Sequence, residues 1–189
     1  MASYPKWFNE GGEQLFSTFL SHYASKPDVQ FLQLGAYTGD ASVWMLENIL
    51  NETGTLTDVD TWQGSDEGVH HSFDWVDVEA VYDAKVAPYG DRVHKYKGTT
   101  TDFLLDTFDG FDFVYVDADH TALSAFADGS LAMGVINPDG IIAFDDYTWR
   151  SGKGALDDPY PGIDKFLEVY KHCITVIEKR DQVWVHVDI

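Results

Sequence analysis

Residues 111–149 read FDFVYVDADHTALSAFADGSLAMGVINPDGIIAFDDYTW and hold two apolar runs that each end in acid. Val114-Tyr115-Val116 runs into Asp117, and Ile141-Ile142-Ala143-Phe144 runs into Asp145 and Asp146. Short apolar runs bounded by turn residues are the pattern of strands buried on both faces. Between them a helix is expected from about Thr121 to Gly134, and Asn137-Pro138-Asp139-Gly140 reads as a turn before the second strand. In an open parallel sheet, ligands sit outside the carboxyl ends of the strands. Asp117, Asp145 and Asp146 are therefore expected to converge on one spot, with Asp119 and His120 in the same turn.

The same alternation extends in both directions. A first helix is expected over about residues 13–24, where Leu15, Phe16, Phe19, Leu20 and Tyr23 recur at helical spacing. A buried strand over residues 29–34 runs into Gly35-Ala36-Tyr37-Thr38-Gly39, and Asp40 opens the next helix, where an acid suits the helix dipole. Further strands are expected at residues 55–60 and 92–97, separated by a long polar loop (residues 61–72) and a helix that stops at Pro88. Loops this long inside a compact domain are often functional. A Gly/Pro/Asp-rich loop at residues 149–162 leads to a helix with Phe166, Leu167 and Tyr170. The chain then ends in two strands joined by Lys179-Arg180-Asp181-Gln182, an antiparallel hairpin. The expectation is a single doubly wound, Rossmann-like α/β domain over residues 1–189, built on a mostly parallel seven-stranded sheet with an antiparallel C-terminal hairpin.

Bulk properties narrow the function. The 189 residues are 44% hydrophobic and 15% aromatic, enough for a substantial core. Thirty-two acids against 12 bases give a formal net charge of -20, which argues against nucleic acid and anionic membranes as partners. One cysteine, Cys173, excludes an intramolecular disulfide and a Cys-cluster zinc site. With no apolar run near ~20 residues and no signal-peptide pattern, a cytoplasmic protein is expected; a homo-oligomer stays open.

The candidate chemistry comes from three places. Gly35 and Gly39 allow a sharp turn and close approach to a ligand, where the first βα turn of doubly wound sheets binds nucleotide-like cofactors. Asp60, at the end of the second strand, stands at the offset from which an acid accepts ribose hydroxyls, with Asp58 its competitor. Trp62 is placed either over a bound base or in the core. Three carboxylates at one strand edge repel, so they take up protons or a cation, and oxygen-only ligation favours Mg2+, Ca2+ or Mn2+. The bland readings are that Asp145 or Asp146 caps the next turn, and Asp119 or His120 the helix near Thr121. His70 and His71 read as loop residues facing solvent or substrate.

The Gly-x-x-x-Gly turn with Asp60-Thr61-Trp62-Gln63-Gly64 resembles that of class I S-adenosylmethionine-dependent methyltransferases. Asp117-Ala118-Asp119-His120 followed by Asp145-Asp146-Tyr147-Thr148-Trp149 is similar to the metal-dependent O-methyltransferases of the catechol, caffeoyl-CoA and macrocyclic-sugar types. The resemblance implies a cofactor set of Gly35, Ala36, Tyr37, Gly39, Asp60, Trp62, Gly98, Thr99 and Asp117. It also implies a divalent ion, usually Mg2+, at Asp117, Asp145 and Asp146, with His120 as base and Asp117 as a second catalytic group. The implied reaction is O-methylation of a small-molecule hydroxyl, with acceptor contacts from the loops at 61–72 and 149–162 and the N-terminal helix. Relatives usually carry Glu where this chain has Gln33, which keeps open a cofactor-binding regulatory or assembly protein without transferase activity. The absence of G-x-G-x-x-G disfavours a nicotinamide oxidoreductase.

Overall fold

The fold was obtained as a computed structural model, which describes residues 4–188. Seven strands form one sheet in the order β3-β2-β1-β4-β5-β7-β6. They are β1 (Gln30–Leu34), β2 (Thr55–Asp60), β3 (Val93–Lys97), β4 (Phe111–Val116), β5 (Ile136–Phe144), β6 (Ile174–Lys179) and β7 (Val183–Val187). The first five run parallel, and β7 lies antiparallel between β5 and β6. Helices α1 (Trp7–Leu20), α2 (Asp40–Asn48), α3 (Trp75–Val86), α4 (Thr100–Asp106), α5 (Ala122–Ala132) and α6 (Tyr160–Tyr170) cover both faces. The expected doubly wound α/β architecture is what the chain adopts. No described helix is long and apolar enough to cross a membrane.

The period-2 geometry of β4 divides the core. Val114 and Val116 pack with Ala125 and Phe166 of α5 and α6, whereas Phe113 and Tyr115 face α1 and α2. Phe16 of α1 is the wedge on that second face. Its ring meets Tyr115, Trp184 and Phe113 edge-on, at 4.9, 5.2 and 5.6 Å, a geometry that matches ring edge to ring face.

Two expected boundaries move. Helix α1 starts at Trp7 rather than near Glu13, because the pair Gly11-Gly12 does not break it. A Cβ on Gly12 would stand 2.6 Å from the Phe8 ring, so the glycine is where Phe8 folds along its own helix. The expected turn at Asn137-Pro138-Asp139-Gly140 is an excursion inside β5. Phe111 pairs with Ile136 and Phe113 with Ile141, so the ladder skips and resumes, with Asp139 at φ 62° taking up the bend.

The sheet reverses its winding between β1 and β4, and there the two chains touch backbone to backbone. Gly35 has φ 91°, and a Cβ on it would lie 1.9 Å from the Asp117 carbonyl oxygen. The ladder bonds continue one residue past the strands, with Gly35 N–H donating to Val59 O (2.8 Å), Asp117 N–H to Leu34 O (2.9 Å) and Asp145 N–H to Val116 O (3.0 Å). This sets Gly35, Asp117 and Asp145 side by side on one edge. Gly35→Ala is expected to destabilise the protein by ~3 kcal/mol or more, through both the forbidden φ and the clash. Gly68→Ala, at an exposed position with nothing within 4 Å of the added carbon, serves as the control, expected within about 0.5 kcal/mol of wild type. Urea denaturation of the two variants checks the pair.

Asp58, the competitor of Asp60, points into the core. Its side chain is fully buried under β2, where Tyr82 of α3 donates to Oδ2 at 2.8 Å and Oδ1 has no partner among the described residues. Burial pushes this carboxyl up to about 7, against the influence of Ser42 and Tyr82 beside it. Below the ordinary carboxyl range both folded and unfolded chains hold the proton. As pH rises toward the folded value only the unfolded chain releases it, so stability falls, and the loss is complete above it. Asp58→Asn is therefore expected to exceed wild type by roughly 2–4 kcal/mol near pH 8 and to converge with it near pH 4. Calorimetric melting of both proteins at the two pH values reads this directly.

Candidate functional site

The turn after β1 is held by an acid from β2. Asp60 Oδ2 accepts from the N–H groups of Ala36 and Tyr37, both at 2.8 Å, and Oδ1 accepts from Trp62 N–H at 2.7 Å. Trp62 Nε1–H in turn donates to Tyr37 O at 2.9 Å. Tyr37 and Trp62 have φ 48° and 47°, a left-handed backbone that non-glycine residues rarely adopt. The carboxylate thus spends most of its acceptor capacity on the loop. One lone-pair direction, on Oδ1, stays free for a ligand hydroxyl.

Gln33 completes this lock from below. Its side-chain amide donates to Gly35 O at 2.9 Å and accepts from Ser42 Oγ–H at 3.1 Å. A glutamate there has no proton to give Gly35 O, so the amide suits this turn as an acid does not.

A cavity of about 360 Å3 opens above the turn. Gly35, Tyr37, Asp60, Gly98, Thr99 and Asp117 line it, bringing together most of the expected cofactor set. Three expected members do not. Ala36 and Gly39 lie beneath the turn, with Gly39 at φ 79° and its missing Cβ facing Tyr82. Trp62 is 3% exposed and packs 4.8 Å from the Tyr82 ring, in the core. The aromatic walls are instead Trp7, His70 and Trp75. Trp7 stacks on Tyr37 at 4.8 Å, bringing α1 over the turn. His70 accepts from Ser65 N–H at 3.2 Å, and burial lowers its imidazole; His71 is exposed, 3.6 Å from Asp66.

The acidic corner differs in detail from its expected make-up. Asp117, His120 and Asp146 each bring one potential ligand atom within 4.8 Å of the others. Asp145 is turned aside: Tyr115 hydroxyl donates to its Oδ2, and Asp146 N–H to its Oδ1 at 2.8 Å. His120 Nε2 lies 3.1 Å from Asp146 Oδ2 and 3.5 Å from Asp117 Oδ1, while Nδ1 lies 2.9 Å from Glu67 Oε1. Neither ring nitrogen is aligned for a hydrogen bond. Asp119 takes no part; its Oδ1 accepts from Thr121 N–H at 2.8 Å, and Thr121 is the cap of α5.

Electrostatically the corner is short of positive charge. Burial, then repulsion by Asp145, pushes Asp117 up to about 8, and the same two causes push Asp146 up to about 6. Burial works to lower His120, but Asp117, Glu67 and Asp146 around it prevail and hold it well above its usual value. Burial would likewise raise Glu67, yet His120 and the Ser65 hydroxyl bring it down to about 2. Four carboxyl groups thus share one imidazolium, and a divalent cation fits the deficit. Glu67 escaped the sequence reading because nothing local pairs it with His120. Its only signal was membership of an unusually long loop.

A second cavity, of about 410 Å3, lies on the other side of this corner. Asp117 and His120 border both cavities, as do Trp7 and His70. Its outer walls come from α1, the 61–72 loop and Trp149.

Comparison with solved structures finds the same fold in the O-methyltransferase from Bacillus cereus in complex with S-adenosylhomocysteine. The identity is 17% and the TM-score 0.65, over 100% of this chain and 83% of that one. TomG from Streptomyces achromogenes, an O-methyltransferase of tomaymycin synthesis in complex with S-adenosylmethionine, is 17% identical with TM-score 0.66, over 94% and 80%. A suspected rRNA methylase from Clostridium thermocellum is 13% identical with TM-score 0.68, over 100% and 99%. No curated protein matches in sequence. A family model for a methyltransferase domain matches residues 32–147, from inside β1 to just past the acidic end of β5. With that match over most of its sheet, the chain belongs to the methyltransferase-domain family, and its fold is that of the class I S-adenosylmethionine-dependent methyltransferases.

Proposed function

We propose that the chain, acting as one methyltransferase domain, methylates a hydroxyl oxygen of a small molecule with the help of a divalent cation held by Asp117, Asp145 and Asp146. One observation carries this reading: Asp117 and His120 form the wall shared by the two cavities, and Asp146 meets His120 across it. One cavity sits over the glycine turn, where the absence of a Cβ at Gly35 lets a ligand approach the backbone; the other takes the acceptor.

When bound, S-adenosylmethionine supplies the methyl group and the cation lowers the pKa of the acceptor hydroxyl. The chain's own residues do the rest. Tyr37, Asp60, Gly98 and Thr99 hold the cofactor, and Asp117 faces both ligands. The buried, unaligned nitrogens of His120 and the converging carboxylates support a cation here. Each oxygen of Asp145 keeps a second acceptor position beside the bond it already makes, so it can join the ligand set. A cation among the carboxylates would take over the counter-charge that His120 supplies, leaving Nε2, which faces the site, neutral to take the hydroxyl proton, with Glu67 Oε1 2.9 Å from Nδ1.

Mg2+ or Mn2+ is expected to raise the melting temperature of the wild-type protein and to leave Asp146→Asn unchanged. S-adenosylmethionine binding, followed by calorimetry, is expected to survive both in the variant and in EDTA. Turnover is expected to fall by roughly 100-fold or more in either case. Full activity in EDTA overturns the metal role, and no binding of S-adenosylmethionine overturns the whole reading. Binding without transfer to any of a panel of catechols and sugars instead leaves a cofactor-binding protein without transferase activity.

A further inference from the structure

The second cavity is walled by two kinds of group. Trp7, Phe8 and Trp149 offer aromatic surface, and the Trp149 ring lies 5.3 Å from that of His120. Glu67, Asp117, Asp145, Asp146 and Asp181 offer carboxylates. None of the chain's 12 lysines and arginines lines it, nor the cofactor cavity. Lys153 lines an adjoining cavity of about 300 Å3 that shares Glu67, His120 and Trp149, and its ammonium is taken up by Asp66, donating to Asp66 O at 2.6 Å and Asp66 Oδ2 at 2.9 Å.

The negative excess outlasts a bound metal. Three carboxylates around a divalent ion still sum to one negative charge, which the sulfonium of bound S-adenosylmethionine offsets, and Glu67 adds another while His120 is neutral. Asp181, at the exposed rim, accepts the Thr148 hydroxyl at 2.8 Å and meets no cation among the described residues; its neighbour Arg180 is held by Glu178 at 2.6 Å. Such a field, between low-dielectric aromatic walls, repels an anion and draws in a cation. The tryptophan faces add cation–π attraction.

We infer that the acceptor is a hydroxyl-bearing ring compound that carries a positive charge at neutral pH, and that carboxylate- or phosphate-bearing hydroxyl compounds are rejected. This rests on the proposed reading of the cavity as the acceptor site. The volume, about 410 Å3, accommodates one small ring system with a short side chain.

Three catechols of matched ring and different charge test it: dopamine (cationic), 4-methylcatechol (neutral) and 3,4-dihydroxyphenylacetate (anionic). Each is titrated by calorimetry into the protein saturated with S-adenosylhomocysteine and Mg2+. Dopamine is expected to bind at least about tenfold tighter than the anion, with the neutral compound between. Asp181→Asn and Trp149→Ala are expected to narrow that gap while S-adenosylhomocysteine affinity stays unchanged. Equal or tighter binding of the anion overturns the inference, as does a gap that neither variant narrows. Failure of all three catechols to bind a protein that still binds S-adenosylhomocysteine overturns the acceptor class and spares the cofactor reading. Failure to bind S-adenosylhomocysteine would instead sink the proposed function itself.

Discussion

The contact between Gly35 and the Asp117 carbonyl is the constraint on which the rest of the site depends. The sheet changes its winding direction between β1 and β4, where the two segments stay backbone to backbone one residue past their strands. They do so with no side chain between them. Any larger residue at Gly35 would push the turn away from β4, and Asp117 would no longer stand between two cavities. Both the cofactor turn and the acidic corner are thus positioned by a missing methyl group. The side chains that carry chemistry are arranged around that gap.

Much of this was legible in the residues because it rests on short-range pattern. The alternation Phe113-Val114-Tyr115-Val116 places successive side chains on opposite faces, and acids directly after two such runs must reach the same edge when the strands pair in register. What escaped was non-local or conformational. Gly11-Gly12 looks like a break until Phe8 is seen lying over it, and Pro138-Asp139-Gly140 looks like a turn although the strand resumes beyond it. Trp62 sits at the position of a base-covering residue but, at φ 47°, turns under the loop into the core. Glu67 and His120 meet only because two loops from different strands fold toward each other, and no spacing rule reports such a pairing.

The corner built from Asp117, His120, Asp145 and Asp146 is a charge-balance problem with several solutions. In this structure the imidazole stands among the carboxylates and supplies the counter-charge, while Tyr115 occupies Asp145 from behind. Asp145 is therefore not idle: its bond to Tyr115 couples the corner to the aromatic stack around Phe16. A change in how Asp145 is used would be felt in the core beneath it as well as at the site. Gln182, which is buried beside the Tyr115 hydroxyl and accepts from Trp184 Nε1–H, extends that link into β7.

The bonds that Asp60 makes have a thermodynamic side. Three amides and two left-handed residues are already in place in the free protein, and backbone strain of this kind amounts to about 1–3 kcal/mol per residue. That strain is absorbed during folding, together with the loop's conformational entropy. A molecule entering the turn then meets a preorganised surface. Its binding heat capacity should track the apolar area it covers, without the large additional term that accompanies the ordering of a disordered segment.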